Sequence, residues 1–252
     1  MRIATWNVNS IGARLPRLLP WLEETAPDVV ALQETKCAAG AFPNLPIEAL
    51  GYEVLAAGDG RWNGVAILSK LGVIDPVTDL PGHPEARLAA AQCGPLHVTS
   101  VYVPNGRTPD DPHYIYKLDW LASLRTRLAG FDPTQPLVIM GDFNVAPTDD
   151  DVWDIRAFAG STHVTPAERA GVRALVDWGL KDVPARPGKG EHPFTYWDYR
   201  AGMFHKDLGM RIDLVLATDS VMVIDAYVDR EARKGKLPSD HAPVVVDIDI
   251  DI

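Results

Sequence analysis

Ile139-Met140-Gly141-Asp142-Phe143-Asn144 is the stretch that decides how this chain is read. Leu137 to Met140 are apolar, as expected of a buried strand, and a glycine then turns the backbone sharply. Asp142 and Asn144 follow with Phe143 between them, and in extended backbone alternate side chains share a face. The carboxylate and the amide therefore look into the same space. An apolar strand that ends in such a pair has something polar to meet. The pair suits phosphoryl chemistry: a carboxylate orients or deprotonates water, and an amide N–H steadies a developing oxyanion. The alternative is an Asx-type turn that only ends a strand.

Other strand-like runs end in the same way. Residues 2–8 alternate and finish at Asn7, a candidate ligand or phosphate contact, or equally a turn former. Asp28 to Glu34 is a second buried strand with a carboxylate at its tip, and a lone buried carboxylate needs a partner or a metal. Arg211 to Ala217 reads as a strand with Asp213 in its interior, and Ser239-Asp240-His241 precedes a last strand, Val244 to Ile250. These polar ends (Asn7, Glu34, Asp142 with Asn144, Asp213, and Asp240 with His241) span the whole chain, so only tertiary folding gathers them. Hard oxygen ligands suit Mg²⁺ or Mn²⁺ rather than zinc, and one such metal with a His–Asp pair is enough to hydrolyse a phosphodiester.

Between these ends the pattern is mixed α/β. Leu15, Leu18, Leu19 and Leu22 recur at helical spacing over 13–25; Pro16 suits the first turn of that helix, and Pro20 breaks or kinks it. A second helix, 113–130, carries Ile115, Leu118, Leu121, Leu124 and Leu128, with Asp110 or Asp111 as its cap, and a third covers 166–178. Short strands are expected at 52–57, 65–69, 88–93, 96–103 and 221–228, and a surface loop at 184–193. Phe194 to Tyr199 is an exposed-looking aromatic cluster beside Arg200, His205 and Lys206, fit to stack on sugars or bases, or to pack as a hairpin.

The chain has 252 residues, 46% of them hydrophobic, which suits one domain of two packed sheets spanning 1–252. No signal peptide and no apolar run of about 18 residues is read, so a cytoplasmic, membrane-free protein is expected. Cys37 and Cys93 show neither metal spacing nor a disulfide framework. The net charge of −10 argues against a general nucleic-acid binder but not against an enzyme that gathers carboxylates around a metal inside a locally basic rim. No exposed apolar stripe is evident, so a monomer is expected.

Six runs carry a resemblance: Thr5-Trp6-Asn7-Val8-Asn9, Leu32-Gln33-Glu34-Thr35-Lys36, Tyr102-Val103-Pro104-Asn105-Gly106, Gly141-Asp142-Phe143-Asn144, Arg211-Ile212-Asp213 and Ser239-Asp240-His241. In order and extent they resemble the exonuclease III class of apurinic/apyrimidinic (AP) endonucleases, within the wider endonuclease/exonuclease/phosphatase superfamily. The resemblance implies a four-layer α/β/β/α sandwich of two mixed sheets flanked by helices. It implies Mg²⁺-dependent cutting of double-stranded DNA on the 5′ side of abasic sites in base excision repair, with 3′→5′ exonuclease and 3′-phosphatase activity on blocked 3′ ends; Mn²⁺ would substitute. By position, Glu34 would bind the metal with Asn7 and Asp240 nearby, in a ligand set that takes in Asp142, Asn144 and His241. Asp142 would activate water or protonate the leaving oxygen, and Asn144 would steady the pentacovalent phosphate. Tyr102 and His241 would contact the scissile phosphate, with Asp213 orienting His241. Lys36, Arg61, Arg87, Asn105, Tyr196, Trp197, Met210 and Ile212 would face DNA, with Tyr196, Met210 and Ile212 walling a pocket for a flipped-out sugar.

The chain departs from that pattern at three positions. Tyr196 stands where Phe or Trp is usual, Met210 where a larger apolar residue is frequent, and Ala86 where Gly is. These leave open the pocket's size and the balance of endonuclease to exonuclease. Two other readings remain: a phosphodiesterase or phosphatase of the superfamily acting on RNA tails, inositol phosphates or lipid headgroups, and a non-catalytic damage-binding module.

Overall fold

The structure, a computed structural model, describes residues 1–250; the last two positions of the expected domain lie outside the described residues. In chain order the elements are β1 (Arg2–Asn7), α1 (Ile11–Thr25), β2 (Val29–Gln33), α2 (Asn44–Glu48), β3 (Glu53–Ala57), β4 (Val65–Ser69), β5 (Ile74–Val77), β6 (Leu88–Cys93), β7 (Leu96–Tyr102), α3 (Pro112–Arg127), β8 (Leu137–Asp142), α4 (Pro166–Trp178), β9 (Lys181–Asp182), α5 (Met203–Lys206), β10 (Asp213–Ala217), β11 (Val221–Val228) and β12 (Val244–Ile250).

They form two six-stranded sheets, ordered β11-β12-β1-β2-β4-β3 and β5-β6-β7-β8-β10-β9. Strand alternation explains the layering. Ile3 and Val29 face inward and meet Val98, Val138, Met140 and Val215 of the other sheet. Ala4, Trp6 and Val30 face outward under Leu18, Trp21 and Leu22 of α1. On the far side Ile139, Leu214 and Leu216 lie under Trp120, Leu121 and Leu124 of α3 and Val172 and Leu175 of α4. The result is the expected α/β/β/α sandwich, and every central strand is covered on both faces.

The strand directions place the polar ends together. β1 and β2 run parallel, as do β7 and β8. β10 is antiparallel to β8 with Asp213 opposite Asp142, and β12 is antiparallel to β1, so the start of β10 and the turn before β12 reach the same rim. The sharp turn expected at Gly141 is absent: Gly141 lies inside β8, paired with Val101 and Leu214, and the strand runs on to Asp142. Its φ is 152°, and a Cβ there would sit 2.0 Å from Val101 O, so glycine is what lets β7 lie this close.

Several expectations need correction. α1 runs unbroken through Pro16 and Pro20, and since it begins at Ile11, Pro16 lies past the first turn. Both prolines are exposed on one face, so the carbonyls they leave without donors point to water. Ile115 is 65% exposed, and the buried position one turn before Leu121 belongs to Lys117. Asp111, not Asp110, caps α3, accepting from His113 N at 2.8 Å. Asp213 is the first residue of its strand rather than an interior one. The aromatic cluster is largely internal, with Phe194 and Trp197 buried and Tyr199 exposed. Met222, Val223 and Ile224 lie exposed on β11, which is the edge of its sheet, an apolar stripe the sequence reading did not anticipate.

Candidate active site

The carboxylates of Glu34 and Asp142 and the imidazole of His241 each bring a ligand atom within 4.8 Å of the others. Asn7 is the link. Its Nδ2 donates to Glu34 Oε1 at 2.8 Å and to Asp142 Oδ2 at 2.9 Å, bridging the two sheets. Its own carbonyl is held by Ser239 Oγ at 2.7 Å, which ties the turn before His241 to the end of β1.

Lys36 is drawn into the site rather than toward a distant backbone. Its Nζ lies 2.7 Å from Glu34 Oε2 and donates to Asn9 Oδ1 at 2.5 Å, while Asn9 Nδ2 donates to Asp240 Oδ1 at 2.9 Å. Asp240 thus joins the cluster through Asn9. Burial pushes the Glu34 carboxyl up, but Lys36 and Asn7 outweigh it and hold it below its ordinary value.

His241 Nδ1 donates to Asp213 Oδ2 at 2.7 Å, and its Nε2 faces Asp142 Oδ2 at 3.9 Å. Burial opposes the imidazolium, yet Asp213, Asp142 and Asp240 raise its pKa to about 10. Asp142 is pushed up to about 7, first by burial and then by the charges of Asp213 and Glu34, against the pull of His241. A carboxyl so placed can take up and give back a proton near neutrality.

Asn144 adopts a left-handed φ of 50°, which asparagine tolerates. Its N–H bonds Asp142 Oδ1 at 2.9 Å, its Nδ2 donates to Val103 O at 3.0 Å, and Asn105 Nδ2 donates to its Oδ1 at 3.1 Å. One N–H of Asn144 Nδ2 is left over for an incoming oxygen. Tyr102 is held beside Glu34 and Asp142, and burial together with those charges keeps its hydroxyl protonated well above the usual range.

Beside this cluster lies a cavity of about 360 Å³ lined by Trp153, Phe158, His163, Tyr196, Met203 and Met210. The Tyr196 ring lies 4.9 Å from that of His241, centroid to centroid, and Tyr196 and Met210 exchange backbone bonds of 3.0 Å. Ile212 packs behind Met210 and does not reach the cavity surface.

Among the expected DNA contacts, Arg61 is exposed and free to reach outward, its guanidinium 5.2 Å from the Trp62 ring. Trp197 and Arg87 are corrected. Trp197 is 1% exposed, under Arg230 at 4.7 Å, and cannot stack on a base. Arg87 is buried, paired with Glu85, and lies 4.7 Å over the Tyr102 ring, so it holds Tyr102 in place. Sequence reasoning missed Asn9 and Trp62, which is 65% exposed. It also missed His163, whose Nδ1 donates to Asn144 O at 2.5 Å, and the buried pair Lys117–Glu168. The one signal for that pair was a lysine falling on the apolar stripe of α3.

The donor set is carboxylate, amide and imidazole without thiol, and it crowds four carboxylates (Glu34, Asp142, Asp213, Asp240) around Lys36 and His241. A hard divalent cation fits both its chemistry and its charge. Among the described residues no helix is long and apolar enough to cross a membrane.

The model of the Endonuclease/Exonuclease/phosphatase family matches residues 4–241. Exodeoxyribonuclease III of Haemophilus influenzae is 31% identical, with 97% of this chain and 98% of that one aligned. An AP endonuclease from Archaeoglobus fulgidus superposes with a TM-score of 0.95 at 35% identity, covering 99% of this chain and all of that one. A 3′ phosphatase from Neisseria, NExo, solved with product DNA hairpin, superposes at 0.92 with 35% identity and 99% of each chain covered.

Proposed function

The chain belongs to the Endonuclease/Exonuclease/phosphatase family, and from that membership we propose a substrate, a metal and a role for each residue of the site. It is a DNA-repair nuclease of the exonuclease III and AP endonuclease type, a phosphodiester hydrolase. Its substrates are duplex DNA carrying an abasic site, cut on the 5′ side, and 3′ ends blocked by phosphate or a sugar fragment. The convergence of Glu34, Asp142 and His241 beside the cavity at Tyr196 and Met210 carries this reading, because one pocket then offers a base, a cation and room for an extruded sugar. One chain supplies every group of the site, so the reaction needs no second copy.

The metal such a donor set would take is Mg²⁺, with Mn²⁺ as a substitute, and Glu34 would hold it with Asp240 and Asn7 alongside. Bound there, it would supply charge neutralisation at the phosphate oxygens. Asp142 takes the proton of the attacking water, its raised pKa matching the task. His241 stays cationic and directs Nε2–H at a phosphate oxygen, with Asp213 fixing ring and tautomer. Asn144 supplies an amide N–H to the charge that grows on the pentacovalent phosphate, and Tyr102 a hydroxyl proton. Arg61, with Trp62 beside it, contacts the DNA outside the site.

The test is a set of single variants, Glu34→Ala, Asp142→Ala and His241→Ala, assayed on abasic duplex and on inositol phosphates. Near-complete loss on DNA in each folded variant is expected, with negligible wild-type turnover of inositol phosphates. A wild-type preference for inositol phosphates would move the chain to the non-DNA branch of its superfamily.

A further inference from the structure

Lys117 on α3 and Glu168 on α4 have fully buried side chains, paired at 2.5 Å. Desolvating two charges usually costs more than their attraction returns, unless further hydrogen bonds saturate both groups. Here the further bonds run into the site. Lys117 Nζ donates to Asn144 O at 2.6 Å and Asn105 O at 3.2 Å as well as to Glu168 Oε1, which uses its three N–H groups. Glu168 Oε1 also accepts from Thr162 Oγ1 at 2.5 Å and His163 N at 2.9 Å, and its Oε2 accepts from Thr165 N at 3.0 Å.

The two carbonyls that Lys117 grips belong to the two asparagines whose amides are bonded to each other in the site. Asn144 stands in left-handed backbone, and its carbonyl is also held by His163 Nδ1. Releasing the Asn144 peptide would let its φ relax and swing the side-chain amide away from the rim. Two apolar side chains would fill the space between α3 and α4 but would make none of these bonds to the loops. The buried charge has a purpose only if the loops it holds must not move.

We propose that the Lys117–Glu168 pair is a positioning unit for hydrolysis: it locks the Asn105 and Asn144 peptides so that the Asn144 amide meets the phosphate as charge develops. Neither residue touches substrate. The substrate assignment rests on the function proposed above; the locking rests on geometry alone.

Lys117→Met and the double variant Lys117→Met/Glu168→Met test it. The single variant strands a buried carboxylate and should lose both thermal stability and kcat. The double variant removes both charges and should regain stability while kcat on DNA stays roughly 10- to 100-fold low and KM moves less than about threefold, the scale of a misplaced catalytic group. Recovery of kcat together with stability would overturn the proposal, as would a raised KM with kcat intact. Side-chain amide NMR reads the locking without any substrate. Slowly exchanging Asn144 amide protons in the wild type should exchange fast in the double variant, and unchanged exchange would also overturn it. A wild type that fails to cut DNA would instead strike the substrate assignment and leave the NMR result standing.

Discussion

His241 Nδ1 and Asp213 Oδ2 lie 2.7 Å apart, opposite the edge of the imidazole that faces Asp142. Asp213 Oδ1 has no partner among the described residues, so the hydrogen bonding of this buried carboxylate goes to one histidine. Asp213 foremost, with Asp142 and Asp240, raises His241 to about 10 despite burial. Its folded pKa exceeds the unfolded value of about 6.5, so the stability it contributes is full below that value. It is lost as pH rises through about 10. Asp213→Asn should flatten this alkaline loss and bring the His241 titration back toward neutrality, read by imidazole NMR. It should cut kcat by roughly 100-fold, of the order seen when a histidine loses its orienting carboxylate. An unchanged titration would remove Asp213 from its role.

Asp142 must be ionised to act as base, and it sits near pH 7 because it is buried among other carboxylates. Activity should therefore rise with pH and level off near neutrality. A cation at Glu34 favours the ionised form, so raising Mg²⁺ should carry the acid limb of kcat/KM to lower pH. An acid limb that ignores Mg²⁺ would separate the metal from Asp142.

Gly141→Ala should unfold sheet pairing locally rather than tune activity. Its Cβ would fall 2.0 Å from Val101 O, at a φ of 152°. The cost is about 3 kcal/mol, seen as a lower denaturation midpoint before any kinetic change. A variant as stable as wild type would mean β8 has room beside Val101 that this geometry denies it.

Arg211 binds Asp151 through Nε at 2.6 Å and Asp182 through Nη2 at 2.8 Å, and its N–H bonds Asp151 O at 2.8 Å. It ties the strip at Asp151–Trp153 to the Met210 wall of the cavity. Arg211→Met should cost about 3 kcal/mol, because buried Asp151 is left unpaired. It should also raise KM for abasic duplex. A change in stability with KM unmoved would make Arg211 a scaffold residue only.

The sequence made the cluster readable for one physical reason. Asn7, Glu34, Asp142 and Asn144 sit at the ends of runs such as Val29–Gln33 and Leu137–Met140, where a polar side chain has no apolar explanation. Their order and the layered fold follow from those same runs. Lys117 was hidden because stripe counting accepted Ile115 as the inward residue; the true inward position carries a charge neutralised by Glu168, 51 residues away in sequence. Trp197 was misjudged for a related reason. Local composition marks an aromatic next to cations as exposed, whereas Arg230 reaches over it from a distant segment. Arg87 likewise spends its guanidinium on Glu85 and Tyr102. In each case the deciding partner comes from tertiary contact, which no local pattern carries.

The most direct measurement is product analysis on a labelled duplex with one abasic-site analogue, alongside the same duplex ending in a 3′-phosphate, with Mg²⁺ and with EDTA. A single cut 5′ to the lesion and release of the 3′-phosphate, both abolished by EDTA, are predicted. No change in either duplex with Mg²⁺ present, from folded protein, would contradict the assignment of Glu34, Asp142 and His241 to metal-dependent DNA hydrolysis.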